Sequence, residues 1–130
     1  MANVVKQQNY ARAMSEHDMQ VGLFQWAAYA GNQYPELALM FAVPNGGFRH
    51  PSVAAKMKAE GVKPGVPDVC LPVPRGQFCG LWLELKKPGG YPTPAQTAWH
   101  KRLTEVGHRV EIVRSIADAI DVIVEYLSEG

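Results

Sequence analysis

The segment Gly80 to Lys87, GLWLELKK, carries an acidic and a basic residue two positions apart within an apolar stretch. Successive side chains of a β-strand point to opposite faces, so Glu84 and Lys86 share one face while the intervening leucines occupy the other. A carboxylate in so apolar a strand needs a partner to offset the cost of leaving water. A metal ion or Lys86 would supply that partner.

A second carboxylate precedes this segment at Asp68, directly after Pro67. The strand that Asp68 begins is joined to the Glu84 strand by the short connection PRGQFCG, which favours an antiparallel hairpin and brings the two carboxylates together. Adjacent ionised carboxylates repel, and a divalent cation relieves that repulsion. The spacing also fits a simpler alternative, in which Glu84 and Lys86 form an ion pair on an exposed strand, and the residues alone leave both open.

Hydrophobic spacing and capping signals predict eight elements around these residues. In chain order they are a helix over Glu16 to Ala30, a strand over Leu37 to Val43, a short helix over Pro51 to Glu60, strands over Asp68 to Val73 and Gly80 to Lys87, a helix from the Thr93 cap to Val106, a strand over Arg109 to Val113 and a helix starting at the Ser115 cap. This order predicts an α/β fold with a mixed sheet.

Length and composition narrow the class of protein. The 130 residues, 47% hydrophobic and 19% charged, are typical of one folded domain, here 15–130 after an N-terminal extension over 1–14. Cys70 and Cys79 are expected to be buried free thiols, and zinc is not expected. The first fifteen residues lack the apolar core of a signal peptide, and no apolar run reaches the length of a membrane span. We therefore expect a cytoplasmic protein without a membrane partner.

The net charge of +1 excludes a non-specific nucleic-acid coat, but it hides two oppositely charged regions. Four basic residues and one acid lie between positions 45 and 63, whereas positions 115–130 carry four acids and no Lys or Arg. Such a basic region favours an anionic partner, although a solvated helix face would also carry these lysines. Asn45 lies in a Gly-rich loop that either approaches a phosphate or only forms a turn. The candidate contacts to an anionic partner such as DNA are Asn45, Arg49, Lys56, Lys63 and Lys87.

Several ordered motifs together resemble a known family. They are GVPDVCL, LELKK and TPAQTAWHKRL, preceded by a helix carrying Glu16 and Gln20 and by a strand that ends in PNGG. Over roughly Ser15 to Val113 the chain resembles a virus-type replication-repair nuclease (VRR-NUC) domain of the PD-(D/E)XK superfamily. The resemblance implies a single nuclease-like α/β domain with a mixed sheet of about four strands flanked by helices.

The resemblance also implies a set of site residues. Asp68, Glu84 and the backbone carbonyl of Leu85 would bind Mg²⁺ or Mn²⁺, Lys86 would be the catalytic lysine, and Glu16 would complete the site. Gln96 matches the glutamine that follows the lysine in this family. Each of these last two residues also has a structural explanation. Glu16 lies in the first turn of a helix, where a carboxylate is stabilised by the helix dipole, and Gln96 is the capping-box partner of Thr93.

The function implied is metal-dependent hydrolysis of DNA phosphodiesters. This chain resembles stand-alone viral and bacterial members that dimerise to resolve four-way junctions. The resemblance therefore implies a homodimer that acts on branched DNA in a bacterial or phage-infected cell. The alternatives are a non-catalytic DNA-binding or assembly module with the same fold, and a flap or fork nuclease. A small-molecule enzyme is disfavoured because no Gly-rich phosphate loop is present. Apolar candidates for the dimer surface are Phe24, Trp26, Trp99 and Tyr126.

Overall fold

The fold is seen in a computed structural model that describes residues 14–44 and 49–129. The elements are α1 (Glu16–Ala30), a 3₁₀ helix (Pro35–Leu39), β1 (Phe41–Ala42), α2 (Pro51–Ala59), β2 (Val69–Leu71), β3 (Leu81–Leu85), α3 (Pro94–Glu105), β4 (Arg109–Val113) and α4 (Ile116–Leu127). The predicted N-terminal extension, apart from Met14, and the predicted loop at Asn45 lie outside the described residues.

The three longest helices begin where the capping signals predict. The side chains of Ser15, Thr93 and Ser115 each accept a hydrogen bond from the backbone N–H three residues later. Helix α3 has the full capping box with Gln96, and its last turn is followed by Gly107 at a φ of +100°. Local sequence therefore determines where these helices start and where α3 ends.

The four strands form one mixed sheet in the order β1-β2-β3-β4, which confirms the predicted α/β class. Strands β1, β2 and β3 pair antiparallel, whereas β3 and β4 pair parallel through the crossover helix α3. Strand β3 therefore has a neighbour on each side. Its register places Val69 opposite Leu83 on one side and Val113 opposite Leu85 on the other.

The core lies between one face of this sheet and helices α1 and α4. The leucines of β3 pack there against buried side chains of both helices, namely Met19, Leu23, Ala27, Ala119, Ile123 and Tyr126. The Tyr126 hydroxyl is fully buried and donates to the Val73 carbonyl over 2.6 Å. Within the described part of the chain, no helix is long and apolar enough to cross a bilayer.

Two structural predictions were wrong. The apolar run Leu37 to Val43 is not a buried strand but the end of a 3₁₀ helix followed by the two-residue, exposed β1. Pro35 at the first helical position favours this turn, and the buried residues Leu37 and Met40 are spaced three apart, as a 3₁₀ helix requires. Cys79 is exposed, since it precedes β3 instead of belonging to it, whereas Cys70 is buried in β2 as predicted; both are free thiols.

Candidate active site

The start of β2 brings Asp68 beside β3. Because Val69 lies opposite Leu83, the preceding residue Asp68 is level with Glu84. The Asp68 carboxylate accepts a hydrogen bond from the Leu85 backbone N–H over 2.8 Å, and the Asp68 carbonyl accepts one from Val43 over 2.8 Å. Asp68 is therefore fixed through both its side chain and its backbone at the junction of three strands.

Glu84 is almost completely buried, with 1% of its surface exposed. Helix α3 supplies two of its hydrogen-bond partners. The Nε2 atom of His100 lies 3.0 Å from Oε1 of Glu84, and the Gln96 amide donates to Oε2 over 3.4 Å. Because Gln96 and His100 are four residues apart, they lie on the same face of α3 and reach the same carboxylate. Glu84 thus faces α3, while the leucines of its strand face the core.

The two carboxylates affect each other strongly. Burial raises the pKa of Glu84, and so do a hydrogen bond with Asp68 and the nearby Asp68 charge. Lys86 lowers it, and the net result is a pKa of about 9. Burial also lowers the pKa of His100, which favours a neutral imidazole. Without a cation, the Asp68 and Glu84 pair therefore retains a proton at neutral pH. A divalent cation would displace this proton and offset the repulsion between the two ionised carboxylates.

Lys86 is 9% exposed and follows directly after β3. Its backbone N–H donates to the Val113 carbonyl over 3.0 Å, which extends the pairing with β4 and holds the residue beside Glu84. Among residues 14–44 and 49–129, no carboxylate lies within 4.0 Å of the Lys86 ammonium. The geometry therefore does not match the simple Glu84–Lys86 ion pair that the spacing also allowed.

Glu16 approaches the site from α1, where its carboxylate accepts a hydrogen bond from the Lys87 backbone N–H over 3.2 Å. In the part of the chain that the structure describes, no group of three His, Cys, Asp or Glu side chains is arranged to hold a metal ion. A cation held by Asp68 and Glu84 would therefore need further oxygens from backbone, water or a phosphate. Mg²⁺ commonly binds in this way, through one or two carboxylates, with waters and substrate oxygens completing its shell.

Gln96 makes both contacts that the sequence left as alternatives. Its Oε1 accepts the Thr93 backbone N–H over 2.8 Å, which completes the capping box, while its Nε2 donates to Glu84. A side-chain amide has an acceptor oxygen and a donor nitrogen, so Gln96 can cap the helix and bind Glu84 at the same time.

An open cavity of about 620 Å³ gives access to these groups. Its lining includes Glu16, Gln20, Asp68, Glu84, Leu85 and Gln96. Gly65 also lines it, with a φ of +91° and a backbone so close to Ala95 that a Cβ at this position would lie 2.7 Å from the Ala95 carbonyl. The loop before β2 therefore packs directly on the first turn of α3.

The predicted DNA contacts are only partly grouped around this cavity. Lys56, Lys63 and Lys87 are exposed; Lys63 immediately precedes cavity-lining residues, and Lys87 follows Lys86. Arg49 is half-buried, and its guanidinium donates to the Met57 sulfur. Asn45 lies outside the described residues.

Two features were missed from the sequence. His100 is absent from the predicted site, although its spacing of four residues from Gln96 places both side chains on one face of α3. The second feature is a basic groove of about 740 Å³ between α3 and the exposed residue Lys63. On the α3 side, Trp99, Lys101 and Arg102 line it in part. Lys63 is distant in sequence from the other three, so only the fold brings them together.

A mixed α/β sheet that places Asp68 and Glu84 at one cavity, with a lysine two residues after the glutamate, defines a domain of the PD-(D/E)XK nuclease type. The VRR-NUC domain model matches residues 12–117, and the chain belongs to this family. A solved VRR-NUC domain protein has a TM-score of 0.77 and 29% sequence identity, over 91% of this chain and 92% of that one.

A relative in Acyrthosiphon pisum secondary endosymbiont phage 1, described as "Putative nuclease p44", is 38% identical over 63 residues. That match covers 48% of this chain and 64% of the phage protein.

Proposed function

We propose that this protein is a divalent-cation-dependent endonuclease that cuts branched DNA, preferentially four-way junctions, as a homodimer. The observation that carries the proposal is the meeting of Asp68 and Glu84 at one cavity, with Lys86 two residues after Glu84 along the same chain segment. Membership of a nuclease family supports the reaction class.

The residues divide the chemistry among them. Asp68 and Glu84, with the Leu85 carbonyl, would hold Mg²⁺ or Mn²⁺, and such a cation lowers the pKa of a water and polarises a phosphate. Lys86, held beside Glu84, orients the attacking water or stabilises the charge that develops on the phosphate. Glu16 completes the acidic wall of the cavity, and Gln96 supports Glu84.

A homodimer is proposed because a single domain of this size, with one candidate active site and almost no net charge, offers little surface to a large branched substrate. A two-fold arrangement presents identical sites to the symmetric strands of a junction. Of the four apolar candidates for the dimer surface, Tyr126 is fully buried and cannot contribute, whereas Trp26 lines an aromatic groove with the 85% exposed Tyr29.

A cleavage panel tests the activity. Labelled four-way junctions, flaps, forks and single strands are incubated with the protein and Mn²⁺, in parallel with the Asp68→Asn variant, which keeps an acceptor for the Leu85 N–H. Asp121→Asn, which neutralises an exposed carboxylate of α4, serves as the matched control. We expect junction cleavage by the wild type and the control and none by Asp68→Asn. Binding without any cleavage would instead identify a non-catalytic module, and preference for flaps would overturn the junction assignment.

Oligomeric state is tested separately by sedimentation of the free protein and of its junction complex. We expect a dimer at the concentrations that support cleavage. A strict monomer would refute the dimer and leave the nuclease chemistry unaffected.

A further inference from the structure

His100 is a neighbour of the candidate metal ligand Glu84 that the proposed chemistry does not yet use. Its Nε2 atom lies 3.0 Å from Glu84 Oε1, and only 15% of the imidazole is exposed. In the described part of the chain, no other Lys, Arg or His nitrogen lies within 4.0 Å of the Glu84 carboxylate. The contact is therefore short, sheltered from water and specific to one carboxylate oxygen.

The direction of the hydrogen bond follows from the chemistry of the two groups. A carboxylate that holds a cation is ionised and can only accept hydrogen bonds, so Nε2 of His100 must carry the hydrogen. Gln96 donates to the other oxygen, Oε2. The two donors thus fix both oxygens, although each oxygen retains a second lone pair for a cation.

Helix α3 is well suited to hold this orientation. Its first turn is fixed by the capping box and by the close approach of Gly65 to Ala95, and Leu103 in its third turn is buried. The terminal torsion of a glutamate side chain is otherwise broad, so an unsupported carboxylate would sample many orientations.

We propose that His100 is a positioning residue, which donates its Nε2 hydrogen to Glu84 and fixes the carboxylate in the orientation that binds the cation. The inference rests on the proposed function, because it assigns Glu84 to metal binding. Hydrogen bonds to metal ligands generally have this role, and their loss costs about 10-fold to 100-fold in metal affinity or activity.

The test compares two substitutions of His100 whose amide side chains differ in length. In His100→Gln the amide nitrogen lies about where Nε2 was, whereas in His100→Asn the side chain is one carbon shorter and cannot reach Glu84. Mn²⁺ affinity is measured by electron paramagnetic resonance of the free ion, with no DNA present. We expect an affinity loss of about 10-fold or more for His100→Asn and recovery to within about threefold for His100→Gln.

Thr104→Ala provides the control for a change on the same helix, since the exposed Thr104 hydroxyl only donates to the His100 carbonyl. It should bind Mn²⁺ as the wild type does. For junction cleavage we expect kcat to fall in His100→Asn while KM for DNA is unchanged, with rescue in His100→Gln.

The outcomes separate this inference from the function on which it rests. If wild type binds Mn²⁺, Glu84→Ala does not, and His100→Asn binds as tightly as wild type, the positioning role alone is refuted. Equal loss in the Gln and Asn variants, with unchanged circular dichroism, also refutes a donor role. A wild-type protein that binds no Mn²⁺ overturns both the proposed function and the role of His100.

Discussion

Replacing Glu84 with glutamine should stabilise the cation-free protein, and the effect should grow with pH. In the folded protein the pKa of Glu84 is raised from 4.5 to about 9, by burial first and then by Asp68. The folded state therefore binds the proton more tightly than the unfolded state. The stabilisation that this proton contributes is complete below about pH 4.5 and is lost progressively as the pH rises towards 9. The amide of Glu84→Gln does not titrate in this pH range, so its stability contribution does not change with pH. The amide can also donate a hydrogen bond to Asp68, as the protonated acid does.

The magnitude follows from this linkage. While Glu84 stays protonated in the folded state, each pH unit above 4.5 lowers the wild-type stability by about 1.4 kcal/mol, which gives about 3 kcal/mol at pH 7. An unfolding entropy of about 2.1 cal/mol/K per residue, over 130 residues, converts 1.4 kcal/mol into about 5 °C. The difference in Tm between variant and wild type should therefore grow by about 5 °C per pH unit between roughly pH 5.5 and 7.5.

Thermal unfolding followed by circular dichroism, with EDTA present, measures this difference. Glu105→Gln is the matched control, because it neutralises an exposed carboxylate on α3, the helix that packs over Glu84. This variant should show no comparable trend with pH. A Tm difference that does not change with pH would refute the reasoning, because it would mean that Glu84 is ionised in the cation-free fold. Adding Mn²⁺ should stabilise the wild type and leave Glu84→Gln almost unaffected.

Three further substitutions test separate parts of the structure. Lys86→Ala should retain Mn²⁺ binding, measured by thermal shift, but lose cleavage by about 10²-fold to 10³-fold or more, and unchanged turnover would exclude Lys86 from the reaction. Tyr126→Phe leaves the Val73 carbonyl buried without its donor, so the free energy of unfolding in urea should fall by about 1 to 2 kcal/mol, and an unchanged value would contradict the buried hydrogen bond. Gly65→Ala adds a Cβ where φ is +91° and the Ala95 carbonyl is 2.7 Å away, so Tm should fall by several degrees and cleavage should weaken; wild-type values for both would refute the close packing.

Much of the fold was predictable because its signals are local. The capping residues Ser15, Thr93 and Ser115 each bond within their own first turn, so the sequence alone determines the start of each helix. The same holds for the β2–β3 hairpin, whose short connection predicts that Asp68 and Glu84 are neighbours. The run Leu37 to Val43 was misassigned because a short apolar stretch fits a strand and a helical turn equally well.

The support around Glu84 was not predictable in this way, because it depends on how α3 packs over β3. The spacing of Gln96 and His100 places them on one helix face, but nothing in the spacing says which strand that face covers. The groove between Lys63 and the outer face of α3 depends on the same packing. Such contacts join residues that are distant in sequence, and only the tertiary structure brings them together.

The site groups also hold the fold together at this edge of the sheet. Asp68 accepts the Leu85 N–H where β2 begins, Glu16 links α1 to the Lys87 N–H, and Gln96 caps α3. An alanine at any of these positions therefore removes a structural contact as well as a functional group, and a loss of activity alone would not separate the two effects. Conservative substitutions are more informative, because Asp68→Asn keeps an acceptor for Leu85 while removing the charge that a cation needs. Retained stability together with lost Mn²⁺ binding in that variant would assign the charge of Asp68 to the metal and its hydrogen bond to the fold.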